Sequence, residues 1–563
     1  MAGGIFVGDV LQLIQSAAAA LQRREPAAAR RALRQALALD PGRGDGWSIL
    51  GVAAIGSGDA VGALAPFRRS LCSAPGNPAY ARNLAACMKR LGRVEEAAAV
   101  LHRAALAGAL APDLFCDLAD LRLGSGDASA ALPLYRLALL LAPDHGRSLN
   151  NLAETLRRQA MPEAATELGR LARLRGTAPA WAAAGAELVE AGRIEEAQPA
   201  LCRALALDPA DPASWSNLGF AHLQRHRAEA SVASFAQARR LDPALAEAAV
   251  GQGSALMLMG RLREGAALYE ERLRLPLFQP PRRFDRPDWD GSIRPGATLL
   301  IHADRGIGDA IQFIRYAPIL RAQGMRVLFC GQENLLGLLR SSRIVDAAFG
   351  YDDELPPYDM HAHVMSLVHR MGTGLDSIPA DIPYLHASQA AKALWAGRAA
   401  GLEGLRIGIV WAGSVHFRYD RVRSPRLEPL LPLFGIPGTT AVVLQFGQGR
   451  DDMAKFPLPA GTVDWGCSLQ GMDNTAAALG ELDVVVSSCT FMAHLAGALG
   501  RPVSVLLHAG SEWRWLSGRE ESPWYPTARL YRQAAPGDWS GPVERLRADL
   551  AALAARRIAL AGN

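Results

Sequence analysis

Trp47-Ser48-Ile49-Leu50-Gly51 is followed 34 residues on by Asn83-Leu84-Ala85, then by Asp117-Leu118-Ala119 and Asn151-Leu152-Ala153, so that Leu50, Leu84, Leu118 and Leu152 keep one spacing. After one shorter step, Trp181–Gly185 and Trp215-Ser216-Asn217-Leu218-Gly219 carry the pattern on to Gly253. A second marker runs at the same beat: Gly58, Gly92, Gly126, Ala160, Gly192, His226 and Gly260. Each precedes a segment such as Arg193-Ile194-Glu195-Glu196-Ala197, and Asp-Pro pairs at Asp40, Asp208 and Asp242 close several units. Two markers with one period define a repeated helix–turn–helix. Small residues let its two helices approach. Glycine ends the first helix, and Asp-Pro ends the second because proline cannot continue it.

The pattern resembles the tetratricopeptide repeat (TPR) family over residues 7–275, about eight units. The resemblance implies an α-helical solenoid as the first domain, residues 1–275. Such a stack presents a concave face that takes extended partner segments. Asn83, Asn151 and Asn217 stand at equivalent places, as candidates for holding a polypeptide acceptor through their amides. The alternative is that they bridge helices within the array.

The chain has 563 residues, half of them hydrophobic, which is enough for several cores. A net charge of +5, with both signs spread over both halves, does not make a nucleic-acid surface. No apolar run reaches the roughly 18 residues of a membrane span. Met1–Ala20 lacks the basic start of a secretory signal. The 7 cysteines form no CxxC pair and are odd in number, so reduced thiols and a cytoplasmic location are expected. Lysine occurs only at Lys89, Lys392 and Lys455, and no phosphate-loop GK[ST] exists. Any phosphate must therefore be met by arginine or by backbone amides.

Residues 276–296 break the repeat with Pro276, Pro280, Pro281, Pro287 and Pro295, and read as a semi-rigid connector. Beyond it, short apolar runs alternate with helices. Thr298–Ala303 and Arg326–Cys330 read as strands of one lobe, residues 297–400. Arg406–Trp411, Ala441–Phe446, Asp483–Ser487 and Val503–Leu507 read as strands of a second, residues 401–540. Apolar strands bounded by helices predict parallel sheets covered on both faces, with ligands at the carboxyl ends. A last helix, residues 541–563, is expected to pack back across the lobes.

The region 284–535 is similar to the glycosyltransferase domains found behind TPR arrays in bacteria, and in outline to the heptosyltransferase and O-GlcNAc transferase families. The matching stretches include Arg305-Gly306-Ile307-Gly308-Asp309-Ala310-Ile311-Gln312-Phe313-Ile314-Arg315-Tyr316, Tyr358-Asp359-Met360-His361 and Val410-Trp411-Ala412-Gly413. Others are Asp420-Arg421-Val422-Arg423-Ser424, Ala493-His494 through Gly500-Arg501-Pro502, and Trp513-Arg514-Trp515 through Ser522-Pro523-Trp524-Tyr525-Pro526. The resemblance implies a GT-B fold of two Rossmann-like lobes. It also implies transfer of a sugar from a nucleotide-sugar donor, without a metal or other cofactor, to a protein acceptor such as flagellin. Two alternatives stand beside it: a non-catalytic scaffold with a degenerate transferase region, and transfer to a lipid-linked saccharide.

Asp309 follows Gly306 and Gly308 just past a strand end, and the related enzymes place an aspartate at this motif, where it would serve as the base for an attacking hydroxyl. It is the first catalytic candidate, with helix capping as its alternative role. His361, at a strand end in the resemblance, is the second. Ser488, Cys489 and Thr490 lead into a helix whose free amides suit a diphosphate, with His494 one turn inside. Gly413, Ser414 and Arg423 follow another strand, with Arg418 and Arg421 near. Gln445 completes the donor-binding set. The chain departs from the family at two places. Cys489 stands where aspartate is usual, and Phe446 where a lysine often neutralises the diphosphate; Arg423 or Arg450 would substitute. His361, His363 and His369 have a metal-like spacing, but no metal site is expected. Asp352-Asp353 and Asp451-Asp452 read as solvated loops. Trp513, Trp515, Trp524 and Tyr525 suit either a stacking platform or a packed core.

Overall fold

The computed structural model describes residues 3–23, 25–158, 176–303, 306–414, 420–510 and 512–561, together with 166, 168 and 169. Ala160 and Arg418 lie outside them, as does the side chain of Arg421. The chain forms two compact units, Met1–Pro209 and Ala210–Asn563.

The first unit is a series of helical hairpins, such as Pro78–Arg90 with Val94–Leu106 and Pro112–Gly124 with Ala128–Leu141. Both sequence markers have a physical cause. Gly58, Gly92, Gly126 and Gly192 end first helices at φ of 80°, 76°, 87° and 72°, a region costly for other residues. The small residue after the marker leucine receives a large side chain from the second helix: a Cβ on Gly51 would lie 2.5 Å from the Phe67 ring.

The second unit opens with two further hairpins, Pro212–Gln224 with Ala228–Leu241 and Ala246–Leu258 with Leu262–Tyr269. In the first of them His226 takes the glycine position at φ 57°. The sequence pattern assigns these helices to a repeat domain ending at residue 275. The structure instead groups them with the α/β region. Met257, Leu258, Leu262 and Ala266 are buried in one continuous core with residues of that region. Ser517 N–H donates to Leu258 O at 2.9 Å, and Arg263 Nε donates to Gly372 O at 2.9 Å. The last repeat has no further repeat to cover its apolar face, and the α/β region covers it.

The connector is ordered. Trp289 is fully buried, its N–H donates to His361 O at 2.7 Å, and His361 N–H donates to Pro287 O. Gly291 at φ 94° lies so close to Arg370 that a Cβ would come within 2.6 Å of its carbonyl oxygen.

Two parallel sheets complete the unit. The first holds β1 (Thr298–His302), β2 (Arg326–Gly331), β3 (Ala347–Gly350) and β4 (Met360–His363), in the order β3-β2-β1-β4. The second holds β5 (Leu405–Val410), β6 (Thr439–Val443), β7 (Val463–Asp464), β8 (Val484–Ser488), β9 (Val503–Leu507) and β10 (Ala528–Arg532), in the order β10-β9-β8-β5-β6-β7. All pairings between these strands are parallel. β1, β8 and β9 are buried along their whole length, as expected of central strands covered on both faces.

The lobes are joined through Arg315, which is 3 % exposed. It donates to Pro379 O at 2.8 Å and Tyr384 Oη at 3.0 Å on the first lobe, and to Trp524 O at 2.7 Å on the second. The final helix, Ser540–Ala561, does not cross the lobes as the sequence suggests. It packs on the second sheet alone, with Val543, Leu546, Leu550 and Ala554 in one cluster with Leu405, Ile407 and Ile409.

Candidate functional site

Each sheet has one place where its strand order reverses. In the first, β1 lies between β2 and β4; in the second, β5 lies between β6 and β8. Loops leaving the carboxyl ends of such neighbours run in opposite directions and open a crevice, the usual ligand site of these sheets. The chain after β1 leads to Gly306 and the helix Ile307–Phe313, with Asp309 in its first turn. The chain after β5 gives Trp411–Ser414. That after β8 gives Cys489, Thr490 and the helix Phe491–Ala498. The two helices touch: a Cβ on Gly308 would lie 3.2 Å from His494 Cδ2 and 3.5 Å from Phe491 Cα. Glycine allows that approach.

Asp309 stands in the first turn of its helix, not at the N-cap. The N-cap is Gly306, which makes no side-chain cap. The Asp309 carboxylate accepts from Arg514 Nη2 at 2.5 Å. Arg514 is 6 % exposed, and its other arm donates to Glu512 at 2.7 Å. Burial works against the guanidinium's charge, but Asp309 and Glu512 outweigh it and hold the group protonated. Sequence reasoning does not find Arg514. Its one signal is a charged residue between two tryptophans, which have to be buried.

On the second lobe, Arg423 Nε donates to Asp420 Oδ1 at 3.2 Å, and Ser424 Oγ donates to the same oxygen at 2.8 Å. Gly413 N–H donates to Ser424 Oγ at 3.2 Å. A Cβ on Gly413 would meet Arg423 Nη2 at 2.6 Å, so the guanidinium lies against the backbone at the end of β5. Ser414 is exposed beside it. Thr490 is the N-cap of Phe491–Ala498: its Oγ1 accepts from Met492 N–H at 3.3 Å and lies 3.0 Å from Ser487 Oγ. Ser488 is fully buried at the end of β8.

Three expected donor contacts are turned inward. Gln445 accepts from the N–H groups of Trp411 and Ala412 at 3.0 and 2.9 Å. It donates to the carbonyls of Ala412 and Phe446 at 3.2 and 2.9 Å. Both amide protons and both lone pairs are spent on stapling the ends of β5 and β6 together. Gln445→Leu is therefore expected to leave two buried N–H groups unpaired and to cost about 1–3 kcal/mol, read from the denaturant midpoint. An unchanged midpoint would refute the staple. Cys489 is buried and accepts from Trp515 Nε1 at 3.0 Å; burial pushes its thiol up to about 12. His494 is stacked on Trp515 at 5.1 Å with its Nδ1 3.2 Å from Tyr525 Oη, and burial holds it well below the ordinary imidazole range. It faces the core rather than a phosphate. Trp513, Trp515, Trp524 and Tyr525 are all buried, so they are core and not a platform. Phe446 remains 39 % exposed and leans on Phe491, 5.8 Å between ring centres. Arg450 is spent on Asp464, at 2.9 and 2.6 Å.

His361 is the second residue of β4 rather than its carboxyl end, and belongs to a separate cluster with His302 at the end of β1. Its Nδ1 lies 3.2 Å from His302 Nε2, and Phe284 packs on both rings. Burial lowers the His361 imidazole and, more strongly, that of His302. Among the described residues no group of three or more His, Cys, Asp or Glu is placed to hold a metal ion. Asp452 pairs with Arg426 at 2.7 and 3.0 Å, and Asp353 accepts from Gly350 N–H at 2.8 Å, so both serve their loops. In the repeats, Asn83 Nδ2 donates to Ser48 Oγ at 3.0 Å and Asn151 Nδ2 to Asp120 Oδ1 at 2.7 Å. Both amides bridge neighbouring helices. Asn217 is half-buried on the helix Pro212–Gln224.

Family models of the tetratricopeptide repeat match residues 15–78, 116–179 and 183–246, and another such model matches 54–114. The chain carries tetratricopeptide repeats. It is 27% identical over 511 residues to Protein FlbA of Caulobacter vibrioides, covering 78% of this chain and 84% of that protein. Among solved structures, E. coli ADP-heptose LPS heptosyltransferase II is 14% identical with a TM-score of 0.35, covering 46% of this chain and 99% of the other. Pseudomonas aeruginosa PilF is 18% identical with a TM-score of 0.31, covering 43% of this chain and 96% of the other. The strand orders, not these likenesses, establish the two-sheet architecture. No described helix is long and apolar enough to cross a membrane.

Proposed function

We propose that the chain is a GT-B glycosyltransferase that moves a sugar from a nucleotide-activated donor to a polypeptide acceptor captured by its repeats. The observation that supports this is the meeting of two switch points. The Asp309 helix, from the first sheet, lies against the helix that starts at Thr490 on the second. Arg423 lies against Gly413 on the neighbouring strand end. A nucleoside phosphate has the positive end of that helix and an arginine to meet it on one side. A carboxylate stands opposite as a base for an attacking hydroxyl. Neither role calls on a metal.

A second reading has its own support. Cys489 is sealed under Trp515, and Phe446 presents a ring where relatives carry a lysine. A scaffold that has lost donor binding would show both.

Calorimetry of the whole chain with a panel of nucleotides and nucleotide sugars, in the presence of a chelator, separates the two. Transfer predicts binding of one nucleotide class without a divalent ion. Arg423→Ala should then weaken it by about 1.5–3 kcal/mol, the range for a hydrogen bond to a charged group. No binding with any nucleotide would leave the scaffold.

A further inference from the structure

We propose that Arg514 is the positioning residue of Asp309, and that the last repeat hairpin holds Arg514 in place. This rests on the transferase reading and deepens it. Arg514 comes from the second lobe and Asp309 from the first, so one guanidinium ties the candidate base to the opposite wall of the crevice. Its fork is shared with Glu512, which fixes the plane of the group. Aromatic faces fix its position. The guanidinium carbon lies 4.7 Å from the Trp513 ring centre and 5.8 Å from that of Phe313, and those two rings are stacked.

The hairpin enters next. Tyr269, at the end of Leu262–Tyr269, packs edge-on against Trp513 at 6.1 Å. Ser517 binds Leu258 O through both N–H and Oγ, at 2.9 and 3.2 Å. The segment Glu512–Ser517 is thereby anchored to the repeat at one end and carries the partner of Asp309 in its middle.

Three titratable neighbours face this pair without adding charge to it. Tyr269, Cys489 and His494 all feel the Arg514 charge, and burial keeps each of them neutral near pH 7. The charges that act directly on the pair are Arg514, Asp309 and Glu512, and Arg272, Arg315 and Arg423 act on its neutral neighbours. Loss of Arg514 leaves two carboxylates without their shared cation.

The test uses the full chain. In Arg514→Gln, turnover should fall about 10-fold or more, since a base out of position loses rate steeply. The acid limb of the rate profile should move to higher pH, because an ionised carboxylate is less favoured without a positive neighbour. Donor affinity should hold. Arg514→Lys, which keeps charge without the fork, should return the limb while recovering rate only in part. A second readout needs no turnover. In thermal unfolding, the midpoint shifts of Asp309→Asn and Arg514→Gln should not add in the double variant. Additive shifts, or an unmoved profile at unchanged rate, overturn the role and leave the transferase reading standing. Lost donor affinity in Arg514→Gln assigns the arginine to the donor and overturns it as well. Failure of the unmodified chain to turn over any donor overturns the transferase reading itself.

Discussion

Asp309→Asn is expected to lower turnover by about 10²-fold or more while donor affinity stays near that of the unmodified chain. The carboxylate stands in the first turn after β1, at the reversal point of the first sheet, and its N-cap neighbour Gly306 does the helix no side-chain service. Asparagine fits the same space and its amide oxygen still accepts from Arg514. What it loses is the ability to take a proton from an attacking hydroxyl. The buried arginine also loses one of two negative partners, so a stability cost of about 1–2 kcal/mol is expected, short of unfolding the chain. Steady-state rates and calorimetry on the same preparation decide it. Unchanged turnover under chemistry-limited conditions would move the base elsewhere. His361 is then the next candidate, because burial lowers its imidazole and keeps it neutral and able to accept a proton near pH 7.

The other large effect concerns where the α/β unit begins. A fragment of residues 276–563 is expected to fail as a soluble cooperative domain, whereas 210–563 folds. Met257, Leu258, Leu262 and Ala266 are buried in the shared core. Burying each large side chain contributes about 1.5–3 kcal/mol, so removing the hairpin forfeits roughly 5 kcal/mol or more. That is comparable with the whole stability of an ordinary domain. The same cut takes away the anchors of Ser517 and Trp513. Gel filtration and denaturant unfolding of both fragments give the answer. Equal midpoints for the two would show that the hairpin is dispensable.

The repeats are legible in the sequence because their physics is local. A glycine with positive φ and a small residue opposite Phe67 recur at fixed spacing, and spacing is visible in one dimension. The central strands are legible for a similar reason, being unbroken apolar runs. The edge strands β3, β7 and β10 are not. Val463–Asp464 has only 2 residues, too few for any pattern to register. Side-chain direction is the harder matter. Gln445, Cys489 and His494 sit next to strand ends, and adjacency suggests ligand contact. Which way each one faces is set by residues far along the chain, Trp515 and Tyr525 among them. Arg514 is hidden for the same reason, since its value lies in a partner two hundred residues away. The boundary at Pro209 cannot be read because units that look alike in sequence differ only in what covers their last face.

Arg315 limits how the molecule can move. Its guanidinium is shared among two carbonyls and a hydroxyl of one lobe and a carbonyl of the other. Pulling the lobes apart there would strand a buried cation, at a cost of several kcal/mol. Arg315 is one of several ties that clamp the two lobes together, with Ser388 Oγ bound to Asp473 at 2.6 Å and Tyr384 N–H bound to Ala498 O at 3.0 Å, so no single bond carries the junction.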